Sequence, residues 1–326
     1  IYPYSDAAYY DISAQTLLIG QGYGYGAVIV RPIYSFFLAV LHLIGGQNYD
    51  TLIFLQTAVL AVFPTVLYFL GRLLGSRLAG LIAAALCILR EVNTILVTHT
   101  ATVSSSKLLM SDLPAALALS IISLLLFNWL KNNQDRVGAM ILGGTLGLGL
   151  LLRYQMIVLI PIILVTALVA GGFRWRKWLL GVWLFVFGIG LAITPWLVRN
   201  AANTGKFIFE EPQEVGFLAQ LYSQDTSIRP RPEPNENEAE FNARVNQMIL
   251  NFVVTHPDQV ILFTLKNWVN NEIATLMVLP VRFGEPTPQG QYPYLSDSFW
   301  MDSNKQLSLL NILILNVQLA QTDIVF

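Results

Sequence analysis

The chain has 326 residues, of which 55% are hydrophobic and only 12% charged. Soluble globular domains carry about twice that charge, so the composition excludes an ordinary soluble fold and points to a polytopic membrane protein. A net charge of −1 with no basic tract leaves no basis for a nucleic-acid partner, and a single cysteine, Cys87, excludes an intrachain disulfide.

The chain begins at Ile1 rather than Met, in a polar stretch, which suggests a piece of a longer protein. From Ser5 to Pro32 it cannot cross a bilayer: it carries Asp6, Asp11, four tyrosines and a Gly-rich turn, and closes on Arg31-Pro32. The apolar run 33–45 is too short to span and is expected as a juxtamembrane or re-entrant helix. A helix crossing the hydrocarbon needs roughly 20 apolar residues. Spans are expected at 51–71, 77–97, 112–130, 137–152, 154–172, 177–198 and 306–322, with Arg153-Tyr154-Gln155 as a turn at the interface. Between the last two lies a polar block at 199–305. It holds the Pro- and Glu-rich RPRPEPNENEAEF, then two expected amphipathic helices at 237–256 and 257–278, then irregular loop.

Lysine and arginine in short loops set orientation. Arg72 and Arg77, Lys131 and Arg136, and Arg174, Arg176 and Lys177 mark three turns, each two spans from the next. All three therefore fall on one side, the cytoplasmic one. The turn at 98–111, Arg153 and the 199–305 block fall on the other. Because 33–45 is too short to cross, the first loop joins them outside.

Four stretches then carry a resemblance. SDAAYYDISAQTLLIGQGYG, followed by RPIYSFFLAVLHLIGG, is similar to the first outer loop of the GT-C glycosyltransferases. These are dolichyl- or undecaprenyl-phosphate-sugar-dependent enzymes, among them protein mannosyltransferases and the aminoarabinose transferases of lipid A. LLMSDLPAAL at 108–117 resembles their acidic motif at the outer start of a span. LLRYQMIVLIP at 151–161 resembles their Arg-containing turn, and ITPWLVRNAANTGKFIF at 193–209 their exit into the large outer loop. The resemblance covers most of the chain. It implies one more span before Ile1 and further spans after Phe326.

By that resemblance Asp6 matches the catalytic acid. A sugar leaving a phosphate develops positive charge at its anomeric carbon while the acceptor hydroxyl loses a proton, and one carboxylate can serve both needs. The alternative is that Asp6 caps a helix starting near Ala7. Asp11, five residues on, lies off the helical face of Asp6 and reads as structural. Arg31 with Pro32 resembles the basic-Pro step that faces the donor phosphate, where the planar fork of Arg suits the ligand; the alternative is an interfacial Arg among headgroups. Pro32 is expected to hold Arg31 extended. Arg153 and Arg199, at outer ends of spans, are further candidates for the carrier phosphate, or for headgroup and helix C-terminal contacts. Asp112 is either a second active-site acid or the start signal of its helix.

The expected fold is an all-α polytopic membrane protein, a GT-C type helical bundle with outer-face loops and juxtamembrane helices. Its parts are a first outer loop (1–50), a transmembrane bundle (51–198), a large outer loop (199–305) and a further span (306–326). An outer cavity between the first loop and the 199–305 block would take a polyprenyl-phosphate sugar from surrounding membrane lipid. The sugar would pass to a protein, lipid or glycan acceptor on the extracytoplasmic face of a prokaryotic plasma membrane. The rival is a non-catalytic family member serving as a membrane subunit; protein partners are unknown. Some relatives use a divalent metal at the loop acid, and His42, His99 and His256 show no metal-ligand spacing, so the cofactor stays unknown.

Overall fold

The computed structural model describes residues 3, 6–24, 28–97, 104–132, 135–171, 175–205, 207–210, 233–234, 236, 238–262 and 264–265. Most of the 199–305 block, the span expected at 306–322 and Arg174 lie outside these residues, and so does the cavity expected between the first loop and that block. Among the described residues all regular structure is helical.

Local chemistry explains where the first helices start and stop. The opening stretch forms α1 (Asp6–Leu18), with Asp6 in its first turn, where a carboxylate complements the helix dipole. Next, α2 (Pro32–Gly45) has proline at its start and stops at Gly46, whose φ of 68° ends it. Asn48 then opens α3 (Tyr49–Leu60), its side chain accepting from the backbone N–H groups of Asp50 and Thr51.

The expected span 51–71 is a helix in two pieces, α3 and α4 (Val62–Leu74), parted at Ala61. Pro64 supplies the cause, since it has no N–H to offer the Leu60 carbonyl. Together the pieces run 26 residues from Tyr49 to Leu74. After them come α5 (Arg77–Val97), α6 (Asp112–Lys131) and α7 (Arg136–Leu152). A 3-10 turn at Tyr154–Val158 leads into α8 (Leu159–Ala170).

The last helix of this unit, α9 (Trp175–Thr204), passes the boundary expected at 198, so Arg199 and Asn200 are helical rather than loop residues. Among the described residues, three helical stretches are long and apolar enough to cross a membrane: Tyr49–Leu74, Asp112–Lys131 and Trp178–Thr204. Outward-facing Phe54, Leu78 and Trp183 are each more than half exposed, as a lipid-facing surface requires.

Among the described residues, α7 and α9 are the helices whose backbones approach most closely. A Cβ on Gly143 would lie 2.0 Å from the Phe185 carbonyl oxygen, and one on Gly147 would lie 2.7 Å from the Ala192 Cβ. Contacts advance together along both helices, so the two run parallel, with small residues letting the backbones meet.

One end of α6, α7 and α9 is marked by Trp129. Its indole N–H donates to the Asp135 carbonyl, at 2.9 Å, and its ring lies against Gly181. The other end holds Asp112, Arg153 and Trp196. With 14 residues, α2 is about 21 Å long, short of the roughly 30 Å of hydrocarbon. Neighbouring residues of α1 reach both ends of α2: Tyr10 meets Arg31, and Asp11 meets His42.

Residues 211–279 form a second compact unit. Its α10 (Glu238–Thr255) packs Phe241, Val245 and Ile249 at helical spacing. Beside it, Arg244 donates twice to Glu236, at 2.7 Å, and this pairing pulls the Glu236 carboxyl down to about 2.

Candidate active site

Tyr10 is the centre of the polar cluster at the Asp112–Arg153 end of the bundle. It lies one helical turn after Asp6, hence on the same face of α1, and it is 1% exposed. Its ring meets Tyr34 of α2 edge to face, with centroids 5.3 Å apart. Arg31 donates to its hydroxyl and also lies over its ring, 5.4 Å from the centroid. Burial pushes the phenol up to about 12. Arg31 and Arg153 oppose that rise, while Asp6 and Asp112 add to it. Two carboxylates and two guanidiniums from α1, α6 and the ends of α2 and α7 thus act on one phenol.

Arg31 departs from the extended backbone expected before proline. Its φ of 55° and ψ of 54° are left-handed, and it is the one non-glycine with positive φ among the described residues. Pro32 disfavours the right-handed α region for its predecessor, and the chain takes the left-handed exit. There the Arg31 carbonyl accepts from Tyr34 and Ser35, opening α2, while the side chain lies on Tyr10. A non-glycine residue held left-handed costs about 1–3 kcal/mol, and such strain gathers at functional sites.

Asp112 is the first residue of α6, yet no side-chain cap bond forms at its N-terminus. Its carboxylate instead accepts from Arg153, which breaks the chain between α7 and the 3-10 turn, and both side chains are about a third exposed. The pair locks the start of α6 to the end of α7. Asp6 is exposed at the head of α1. Among the described residues Arg31 has no carboxylate in ion-pair contact, although it opposes the upward push that burial gives the half-buried Glu210.

Arg199 belongs to a different group. Its guanidinium stacks over Tyr23 and Trp196, at 5.5 and 5.0 Å, and donates to Asn200. This aromatic cluster pins the Gly-rich loop to the end of α9, with Val28, Ile29, Leu151 and Trp196 buried together. The structure therefore gathers Asp6, Asp112, Arg31 and Arg153 around Tyr10 and leaves Arg199 outside.

Sequence reasoning missed Tyr10 as the hub, although its place four residues after Asp6 was readable. Glu210 gave no local signal. Among the described residues no three His, Cys, Asp or Glu side chains come together as a metal site. The cluster offers two carboxylates, Asp6 and Asp112, the second of them paired with Arg153.

Residues 30–198, just over half of the chain, match the protein family described as dolichyl-phosphate-mannose-protein mannosyltransferase. That stretch contains Arg31, Asp112 and Arg153, while Asp6, Tyr10 and Arg199 lie beyond its ends. No curated protein and no solved structure matches the chain.

Proposed function

Because this chain belongs to the dolichyl-phosphate-mannose-protein mannosyltransferase family, whose members are membrane glycosyltransferases using polyprenyl-phosphate sugars, we propose that the Tyr10 cluster is its transfer site. The acceptor is a protein, lipid or glycan hydroxyl on the extracytoplasmic face. The Asp6 carboxylate takes the hydroxyl proton as that oxygen attacks the anomeric carbon. The bond from the anomeric carbon to the phosphate oxygen breaks, and polyprenyl phosphate leaves with the bonding pair. Arg31, whose described hydrogen-bond partner is a neutral phenol, keeps its charge for that phosphate. Arg153, neutralised by Asp112, braces the site between α6 and α7.

The observation that carries this reading is the convergence of Asp6, Arg31, Asp112 and Arg153 on Tyr10. An exposed base, and an arginine with no ion-paired carboxylate among the described residues, are what proton removal at one end of the reaction and phosphate departure at the other demand.

Orientation is tested by single-cysteine labelling in a Cys87→Ser background. A membrane-impermeant maleimide applied to intact cells should reach Gln21→Cys and not Ser76→Cys; inverted vesicles should give the reverse. Labelling of both from the same side places the cluster on the face of the Arg72–Arg77 turn and overturns the assignment.

A further inference from the structure

One buried polar group plays no part in the chemistry above. Asp11, next to Tyr10 on α1, is 2% exposed, and its carboxylate receives partners from three helices. Its Oδ2 accepts from Gln15 Nε2 of α1 at 2.7 Å and from the Tyr49 hydroxyl of α3 at 2.8 Å. Its Oδ1 lies 2.7 Å from Nε2 of His42 on α2, itself 3% exposed. His42 Nδ1 faces the Gly46 carbonyl at 2.9 Å. A carbonyl only accepts, so Nδ1 carries a proton, and a second proton must lie between Nε2 and Asp11. The other helix packed on α2 is α7, which between Val137 and Leu152 brings no titratable side chain.

This network adds directional bonds to the packing of α1 on its neighbours. The buried face of α1 is Ala7, Tyr10, Asp11, Ser13 and Ala14. Three of the five are small, so Tyr10, which meets Tyr34 edge to face, is the one large ring that this face sets against α2. Asp11 is fixed in roll and along the axis by directional bonds to α2 and α3. Asp6 heads the same rigid helix, so its carboxylate goes where Asp11 sends it.

We propose that Asp11 and His42 are a positioning pair for sugar transfer, fixing the roll of α1 and so aiming Asp6 at the reacting hydroxyl. This rests on the reading of Asp6 as the base. The donor phosphate is held by Arg31 at the head of α2, so loosening α1 should spare donor binding and slow the chemical step.

The test is steady-state kinetics on the full chain in lipid, with polyprenyl-phosphate hexose varied, for His42→Ala, His42→Gln, Asp11→Asn and Asp6→Asn. His42→Ala and Asp11→Asn should lower kcat on the order of 10²-fold, the cost of a misplacement of about 1 Å. KM for the donor should stay within about threefold, the mark of an interaction spent on the transition state. His42→Gln should recover most of kcat, because its amide N–H replaces the donor to Asp11. Wild-type kcat in His42→Ala and Asp11→Asn, or a His42→Gln no better than His42→Ala, overturns the pair. Loss in Asp6→Asn alongside full activity in the other three removes only the positioning claim. Full activity in Asp6→Asn removes the base assignment and the pair with it. If His42→Ala folds poorly, Asp11→Asn reads the same contact from the other side.

Discussion

Asp6→Asn should lower turnover by on the order of 10²–10⁴-fold, the usual worth of a positioned general base. The substitution keeps the shape of the side chain and removes its charge. Asp6 is exposed and is engaged in none of the described hydrogen bonds or ion pairs, so little of the fold depends on it. Loss of its favourable dipole contact costs about 0.3–1 kcal/mol of helix stability, far too little to mimic such a loss of rate. Donor binding should persist, since the phosphate is held elsewhere. The check is kcat and donor KM on a sample whose melting temperature matches wild type. Turnover within a few-fold of wild type would leave Asp6 as a helix-terminal residue only.

The second large effect is expected at Arg31. Arg31→Ala should weaken binding of a polyprenyl-phosphate sugar by about 1.5–3 kcal/mol, the range for hydrogen bonds to charged groups, or roughly 10- to 150-fold in Kd. Arg31→Lys should recover part of this, because an ammonium supplies charge without the planar fork. The backbone at this position is left-handed, so Arg31→Gly is a useful partner. It removes the guanidinium and relieves the strain at once. Weak binding in both Ala and Gly variants, with the Gly variant at least as stable, assigns the loss to the guanidinium. A titration of donor lipid against all four proteins gives the answer; equal affinities would remove the phosphate from Arg31.

Much of this arrangement was legible in the sequence, for physical reasons that differ by element. The helices of the bundle follow from apolar runs, whereas Asp6, Arg31, Asp112 and Arg153 were selectable because the stretches that hold them resemble GT-C glycosyltransferase motifs. What was not legible depends on tertiary contact. Whether Asp112 caps its own helix or bonds Arg153, 41 residues on, is decided only when the start of α6 meets the end of α7. The fate of Arg199 depends on Tyr23 folding back onto Trp196. Asp11 read as structural from its face of the helix, but nothing local named His42 and Tyr49 as its partners. The left-handed turn at Arg31 ran against the general preference of residues before proline. Such local rules yield where tertiary contacts over-determine the backbone.

The most direct test of the central claim is the fate of the donor lipid. The purified chain in bilayers, given polyprenyl-phosphate hexose, should bind it saturably. With an acceptor present it should release free polyprenyl phosphate, and Asp6→Asn should bind the donor but release almost none. No saturable binding and no release by the wild-type protein would contradict the assignment and favour a non-catalytic membrane subunit built on the same fold.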